Sequence, residues 1–241
     1  MIYLDFDGVL FDTAQEAYVI SKLALGKSHF IEDIAEYEQF LEIRPSVMSA
    51  WNYEPIMKGL QIGLKGVELS EFVNERILLG RSDKTNDFEK EFFKQREEFH
   101  KYNYQAWLKL SRPFQFWNLV LPLIFENLNN FVILSTRDEI SINELLTNHG
   151  GPKMHILGRN AYIAAGNSKA KAIKNFSLNH EASLWVDDNL EHLNEIENLI
   201  DSRHFNVETV WATWGYVKSK DRFDNSDNAI KAINKSLELI K

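Results

Sequence analysis

The sequence predicts an α/β protein in which a doubly wound parallel sheet carries a helical insertion after its first strand. Three observations predict this class. Five short segments are almost continuously apolar, as strands covered on both faces are. Helical patterns separate the last four of them. Between Asp12 and about Leu110 there are helix signals and no convincing strand, which predicts an inserted helical domain.

The five apolar segments give the order of the predicted strands. They are Ile2–Phe6, Phe131–Ser135, Met154–Gly158, Ser183–Asp187 and Val207–Ala212. A polar turn and an amphipathic helix are predicted for the tail, Asn225–Lys241. We expect residues 1–12 and 111–241 to form the α/β core and residues 13–110 to form the helical domain.

The helical insertion carries its own boundary signals. Thr13 and Glu16 fit a capping box at the start of a helix. Gly26 and Gly80 stand where helices would end. The stretch Asp83–Leu110 is long, charged and rich in aromatic residues, and it is predicted to be helical.

Composition excludes several classes of function. The 241 residues carry a formal net charge of -8, which argues against general affinity for nucleic-acid phosphates or anionic membranes. There is no cysteine, so disulfides, thiol catalysis and zinc–thiolate sites are excluded. Because no apolar run could cross a membrane and no basic leader precedes IYLDF, we expect a cytoplasmic protein.

Polar side chains follow three of the predicted strands. Asp5 and Asp7 end the first strand, Ser135 ends the second, and Asp187 and Asp188 end the fourth. A lysine, Lys169, opens the helix that precedes the fourth strand, and the second strand is also followed by Thr136 and Arg137. Ligands of open parallel sheets bind outside the carboxyl ends of the strands, so these groups are expected at one edge.

Four neighbouring carboxylates require a counter-charge, because otherwise some of them would be protonated. Mg²⁺ meets this need, since it binds carboxylate oxygens, keeps waters and pairs with phosphate. A carboxylate beside Mg²⁺ can attack a phosphoryl group, and a second carboxylate can act as general acid and base. A hydroxyl and a lysine can hold the transferring oxygens.

Four motifs in this order resemble those of the haloacid dehalogenase superfamily. They are DFDGV, the run ending in FVILS, the lysine of SKAKAI, and LWVDD, and TWGY near Thr213 is similar to members related to phosphoglycolate phosphatase. The resemblance spans Ile2 to about Val217. It implies a Rossmann-like core and a cap domain made by the helical insertion.

The resemblance also implies a role for each motif residue. Asp5 is the nucleophile, Asp7 the general acid and base, Ser135 a phosphoryl ligand and Lys169 the residue that stabilises the phospho-enzyme. The implied Mg²⁺ ligands are Asp5, Asp187, Asp188 and the backbone carbonyl of Asp7. Asp12, in FDT, resembles a family feature at the hinge into the cap, although an ordinary position at the start of a helix explains it equally well.

Structural alternatives stand beside these roles. Asp188 with Glu191 also fits a helix N-cap, and Thr136 with Glu139 fits a capping box. Lys171 competes with Lys169 as the motif lysine.

The residues that choose the substrate are harder to assign. Gly8, Thr136 and Arg137 are candidates for substrate contacts at the strand ends. Two groups of cap residues could also contribute: arginines to grip an anion, and aromatic residues to stack on a ring. These are Arg44, Arg76 and Arg81, and Trp51 and Tyr53.

The leading hypothesis is a Mg²⁺-dependent phosphatase that hydrolyses a small phosphorylated metabolite, as a monomer or a homodimer. Dehalogenating members of the superfamily lack the second aspartate, so Asp7 argues against dehalogenation. A phosphomutase of the β-phosphoglucomutase kind shares these motifs and is the alternative enzyme. A non-catalytic phosphate-binding module is the alternative outside enzymes.

Overall fold

A computed structural model describes residues 1–28, 31, 33–176, 183–197 and 207–240. The chain forms two compact units. One consists of Met1–Asp12 and Arg112–Lys241, and the other is the continuous segment Thr13–Ser111. Within the described ranges, no helix is long and apolar enough to cross a lipid bilayer.

The discontinuous unit contains all seven strands of the described chain. Five of them form one parallel sheet in the order β5-β4-β1-β6-β7. The other two, β2 and β3, form a short antiparallel pair. The strands are β1 (Ile2–Leu4), β2 (Phe11–Asp12), β3 (Arg112–Pro113), β4 (Phe131–Leu134), β5 (His155–Leu157), β6 (Ser183–Asp187) and β7 (Val207–Trp211).

The predicted α/β class with a parallel sheet is confirmed, and each of the five predicted strands is present. β1 is the central strand, and Ile2 pairs with Phe131 on one side and with Leu184 on the other. The strands β1, β4 and most of β6 are completely buried. β2 and β3 were not predicted, because they have only two residues each and no apolar run marks them.

The segment Thr13–Ser111 is helical. Its helices are α1 (Ala14–Ala24), α2 (Ile34–Ile43), α3 (Tyr53–Gln61), α4 (Gly66–Leu78), α5 (Asp83–Tyr102) and α6 (Tyr104–Leu108), with short 3-10 turns at Arg44–Ser46 and Ala50–Asn52. Gly26 and Gly80 follow α1 and α4 with φ of 70° and 78°, as the helix-end prediction requires.

The predicted capping box at Thr13 and Glu16 is wrong. The Thr13 side chain makes no capping hydrogen bond. Glu16 instead receives two hydrogen bonds from Arg96 on α5, at 2.7 and 3.0 Å, and both side chains are buried. This two-point, charge-assisted contact joins α1 to α5.

The helices of the discontinuous unit lie between its strands, except for the last one, which follows β7. They are α7 (Gln115–Glu126), α8 (Glu139–Asn148), α9 (Arg159–Ala164), α10 (Lys169–Phe176), α11 (Leu190–Glu197) and α12 (Ser226–Ile240), with 3-10 turns at Leu128–Asn130 and Ser219–Asp221. The predicted tail helix corresponds to α12, and its last predicted residue, Lys241, lies outside the described residues. A cluster of buried apolar side chains, which includes Tyr3, Val132, Ile173 and Trp185, packs on the sheet.

Candidate active site

The carboxyl ends of β1 and β6 bring three buried carboxylates together. Asp5 follows β1, Asp187 is the last residue of β6, and Asp188 comes next. One oxygen from each carboxylate lies within 4.8 Å of the others. The three side chains, called the acidic cluster below, come from neighbouring strands because β1 and β6 pair directly. The sequence prediction that these residues share one edge of the sheet therefore agrees with the geometry.

Lys169 joins two members of the acidic cluster. Its Nζ lies 2.7 Å from Oδ2 of Asp5 and 2.8 Å from Oδ2 of Asp187. The lysine is the first residue of α10 and is only 1% exposed, whereas Lys171 is exposed. The geometry therefore selects Lys169 as the lysine at the site.

The charges in the acidic cluster are only partly balanced. Burial and the neighbouring Asp187 and Asp188 raise the pKa of Asp5 well above its usual range, although Lys169 opposes this. Burial would also raise the pKa of Asp187, but Lys169 and His192 outweigh it and lower that pKa to about 2. Burial alone would lower the pKa of Lys169, yet Asp187 and Asp5 raise it. Three carboxylates thus face one ammonium group.

Two glycines fit closely around Asp188. A Cβ at Gly8 would lie 2.1 Å from Oδ2 of Asp188, and a Cβ at Gly215 would lie 2.1 Å from the carbonyl oxygen of Gly8. Gly8 also has a φ of 91°, which side-chain-bearing residues rarely adopt. The backbone N–H of Tyr216 donates to Oδ2 of Asp188 at 2.7 Å. Asp188 is therefore fixed by backbone groups that only glycine allows to come so near.

The alternative prediction, that Asp188 caps a helix together with Glu191, is wrong. Its carboxylate accepts from Tyr216, which comes after β7. The N–H of Glu191 instead donates to Oδ1 of Asn189, at 2.9 Å. Asp188 is thus directed into the acidic cluster, and Asn189 serves the start of α11.

Asp7 lies beside the acidic cluster but is bound by an arginine. The Nε of Arg137 donates to Oδ1 of Asp7 at 3.0 Å and is 3.3 Å from Oδ2. Arg137 is 2% exposed and the Asp7 side chain 17%. Arg137, a predicted substrate contact, thus has its guanidinium on a protein carboxylate. The Asp7 side chain is not among the carboxylates gathered closely enough to hold a metal in the described residues.

Ser135 and Thr136 follow β4. Ser135 is 1% exposed, and its Oγ accepts a hydrogen bond from the N–H of Arg137 at 3.2 Å. The predicted capping box of Thr136 and Glu139 is wrong, because Asp138 caps α8 by accepting from the N–H of Ser141 at 2.8 Å. Thr136 therefore does not cap α8. It lies half-buried just after β4.

Three contacts at the site were missed from the sequence. His192, which is 4% exposed, has its Nδ1 3.4 Å from Oδ1 of Asp187. The hydroxyl of Tyr216 donates to Asp12 at 2.8 Å, and the indole N–H of Trp211 donates to the carbonyl of Asp188 at 2.9 Å. The phrase TWGY was noted only for its resemblance, and the histidine lies in no ligand motif.

Comparison with solved structures identifies the fold. A predicted phosphatase from Clostridium acetobutylicum is 12% identical, with a TM-score of 0.57 and 97% of each chain covered. A predicted phosphoglycolate phosphatase from Haemophilus somnus is 13% identical, with a TM-score of 0.54 and 97% of each chain covered. The chain has a haloacid dehalogenase-like fold. A phosphatase from Thermococcus thioreducens, 17% identical, also matches with a TM-score of 0.54 over 95% of this chain and 98% of that one.

These likenesses concern the fold, because every identity is below one fifth. No protein-family model matches the sequence, and no curated protein matches it. The haloacid dehalogenase-like fold predicted from four short motifs is therefore confirmed by structure alone.

The acidic cluster of this haloacid dehalogenase-like core fits a divalent cation. Three buried carboxylates offer oxygens within 4.8 Å of one another, which is the donor type that Mg²⁺ prefers. Burial first, and then the neighbouring Asp187 and Asp188, raise the pKa of Asp5, and a bound cation would oppose both effects. Within the described residues this is the one group of three or more potential ligand side chains gathered closely enough to hold a metal.

Proposed function

We propose that the protein is a Mg²⁺-dependent phosphatase that hydrolyses a small phosphorylated metabolite through an aspartyl-phosphate. The observation that carries the proposal is the acidic cluster with Lys169 at the carboxyl ends of β1 and β6. Asp7 follows the proposed nucleophile by two residues at the same strand end. The net charge of -8 favours a small substrate over a nucleic acid.

Asp5 and Asp7 divide the chemistry. A carboxylate oxygen of Asp5 attacks phosphorus, the bond from phosphorus to the ester oxygen breaks, and Asp7 gives its proton to the departing alcohol. Asp7 then takes a proton from water, which attacks the phosphorus of the aspartyl-phosphate and frees Asp5 and inorganic phosphate. Asp5 must be ionised to attack, and in the metal-free protein burial opposes this.

The neighbouring groups hold the phosphoryl oxygens. Lys169 lies 2.7 Å from Asp5, so its ammonium group would contact a phosphoryl group formed there. The Ser135 hydroxyl, at the end of the adjacent strand, is proposed to bind another oxygen. Gly8 and Thr136 stay candidates for substrate contacts, whereas Arg137 is assigned to Asp7.

Asp5, Asp187, Asp188 and the backbone carbonyl of Asp7 would hold Mg²⁺. When bound, the ion supplies positive charge that offsets the carboxylates and the phosphoryl oxygens. This charge would favour the ionised form of Asp5 that the reaction requires.

The test is release of phosphate from a panel of sugar phosphates, phosphoglycolate, nucleotides and amino-acid phosphates with Mg²⁺. Wild-type protein should hydrolyse at least one class, and EDTA should abolish the activity. Asp5→Asn should lose turnover. It should also no longer form the phospho-enzyme, which wild-type protein shows as an increase in mass after quenching in acid. The matched control is Asp227→Asn, an exposed aspartate on α12, which should be unaffected.

Three other outcomes would reject the proposal, and two of them would support a specific alternative function. Isomerisation of a sugar phosphate that needs a bisphosphate activator, with little hydrolysis, would establish a phosphomutase. Binding of phosphate analogues with no turnover of any ester would establish a non-catalytic module. Unchanged turnover by Asp5→Asn would remove the nucleophile from the mechanism.

A further inference from the structure

A pocket of about 320 Å³ lies within the helical unit. Its walls come from α3, from the end of α4 with the following loop, and from the first turn of α5. All of its lining residues lie between Glu54 and Thr85. Its volume is at the lower end of the range found for small-molecule sites, about 300–1,000 Å³.

Four of the eleven residues that line this pocket are basic. Lys58, Arg76, Arg81 and Lys84 line it, and Glu54 is the one acidic lining residue. The excess of positive charge contrasts with the net charge of -8 for the whole chain. A concave surface lined by one sign of charge concentrates ions of the opposite sign.

Two of the four cations already have acidic partners. Lys58 is paired with Glu54. Arg81 donates to Glu89 at 2.7 Å, and its Nη2 is 3.3 Å from Oγ of Ser49. These contacts hold Arg81 in place. In the described part of the chain, Arg76 and Lys84 form no ion pair, so their charges are available to a ligand.

The pocket also has an apolar wall. Pro55, Phe72 and Leu79 line it, and Leu79 is 72% exposed. The guanidinium of Arg76 lies over the Phe72 ring, 5.1 Å from its centroid. A cation stacked on a ring keeps its N–H donors at the edge, where they can meet a carboxylate or a phosphate.

We propose that this pocket binds a small organic anion, one that carries a phosphate or carboxylate group on an apolar framework. Arg76 and Lys84 bind the anionic group, and Phe72 and Leu79 contact the framework. The proposal does not depend on the proposed phosphatase activity, because none of Asp5, Lys169, Asp187 and Asp188 lines the pocket.

The test uses calorimetric titration of phenylphosphonate, phthalate and inorganic phosphate into the full chain with EDTA present. Without a divalent cation the acidic cluster repels these anions, so heat of binding reports another site. The variant Arg76→Gln with Lys84→Gln should raise the Kd of the ring-bearing probes by about tenfold or more, since each lost charge-assisted hydrogen bond weakens binding.

The matched control is Lys90→Gln with Lys94→Gln, which removes the same charge from exposed positions further along α5. It should change the Kd by less than about twofold, since surface charges at a distance are largely screened. Equal weakening by both double variants would overturn the proposal, because it would report general electrostatics. Absence of binding at about 10 mM of every probe, far weaker than a functional site, would also overturn it.

A second variant tests the apolar wall. Leu79→Ser changes an exposed side chain. It should weaken the binding of phenylphosphonate and phthalate, which have apolar rings, and leave the Kd of inorganic phosphate unchanged. Stronger binding of phenylphosphonate would indicate a phosphate ligand, and stronger binding of phthalate a carboxylate one. Inorganic phosphate that binds as tightly as phenylphosphonate would overturn the assignment of an organic ligand.

Discussion

The Nε of Arg137 lies 3.0 Å from one carboxylate oxygen of Asp7 and 3.3 Å from the other, although 130 residues separate the two in sequence. They meet because each follows the end of one of two paired strands, β1 and β4. The arginine is buried, so it holds the carboxylate in a fixed direction. The orientation of the proposed general acid therefore depends on Arg137.

We expect Arg137→Met to lower kcat about 100-fold on an aliphatic phosphate monoester, because a misplaced catalytic group costs on this order. The effect should be smaller on p-nitrophenyl phosphate, whose leaving group needs less help from an acid. Steady-state kinetics on both substrates measure this. Arg112→Met, at an exposed arginine, is the control. A higher KM with unchanged kcat would instead restore Arg137 as a substrate ligand.

Lys169→Met should destabilise the protein by about 3–5 kcal/mol, because it leaves buried carboxylates without their cation. The loss should grow with rising pH, since the carboxylates left behind are tolerated when protonated and costly when ionised. Urea unfolding at about pH 5 and about pH 8 measures both effects. Lys171→Met, two residues away and exposed, should change stability by less than about 0.5 kcal/mol. Similar losses in the two variants would contradict the assignment of Lys169.

The affinity for Mg²⁺ should rise with pH. The pKa of Asp5 lies well above its usual range, and a protonated carboxyl must lose its proton to bind the ion. The affinity for Mg²⁺ is therefore weak well below that pKa. It rises as the pH approaches the pKa and becomes constant above it. Calorimetry in buffers of different ionisation enthalpy should also detect a released proton. Asp5→Asn should bind more weakly and lose most of the pH dependence, and a pH-dependent affinity that survives this change would assign the proton to another group.

Gly8→Ala should abolish tight Mg²⁺ binding, because the added Cβ would lie 2.1 Å from a carboxylate oxygen of Asp188. Gly166→Ala is a matched control, since Gly166 also has a positive φ, 71°, but has no atom within 4 Å of its Cβ position. Both variants should lose roughly 1–2 kcal/mol of folding stability, because alanine is strained in the left-handed backbone conformation. Only Gly8→Ala should lose metal affinity, measured by calorimetry. Equal affinities in both variants would show that Asp188 tolerates displacement.

Much of the fold and the acidic cluster could be predicted because both depend on strand ends. Buried parallel strands are continuous apolar runs, and the residue after each run is placed at the edge of the sheet. Asp5 and Asp187 were found in this way, and their closeness follows from the pairing of β1 with β6. Lys169, the first residue of α10, was found by the resemblance of SKAKAI to a family motif.

Both predicted capping boxes failed, one because of a distant partner and one because a neighbouring residue takes the role. Glu16 and Thr136 each matched a local capping pattern, yet Glu16 is bound by Arg96 and the cap of α8 is Asp138. A local pattern states which hydrogen bonds are possible, and the tertiary fold decides which are made. The contact between Arg137 and Asp7 was also not predicted, because the two residues are far apart in sequence.

The central position of β1 affects how the protein assembles during synthesis. Ile2 pairs with Phe131 and Leu184, which leave the ribosome far later than β1 does. At about 5–20 residues per second, the wait is on the order of ten seconds. The helical segment Thr13–Ser111 is continuous and is complete before either partner strand exists. The segment that carries Asp5 and Asp7 is thus translated early and reaches its native neighbours only when β6 has emerged.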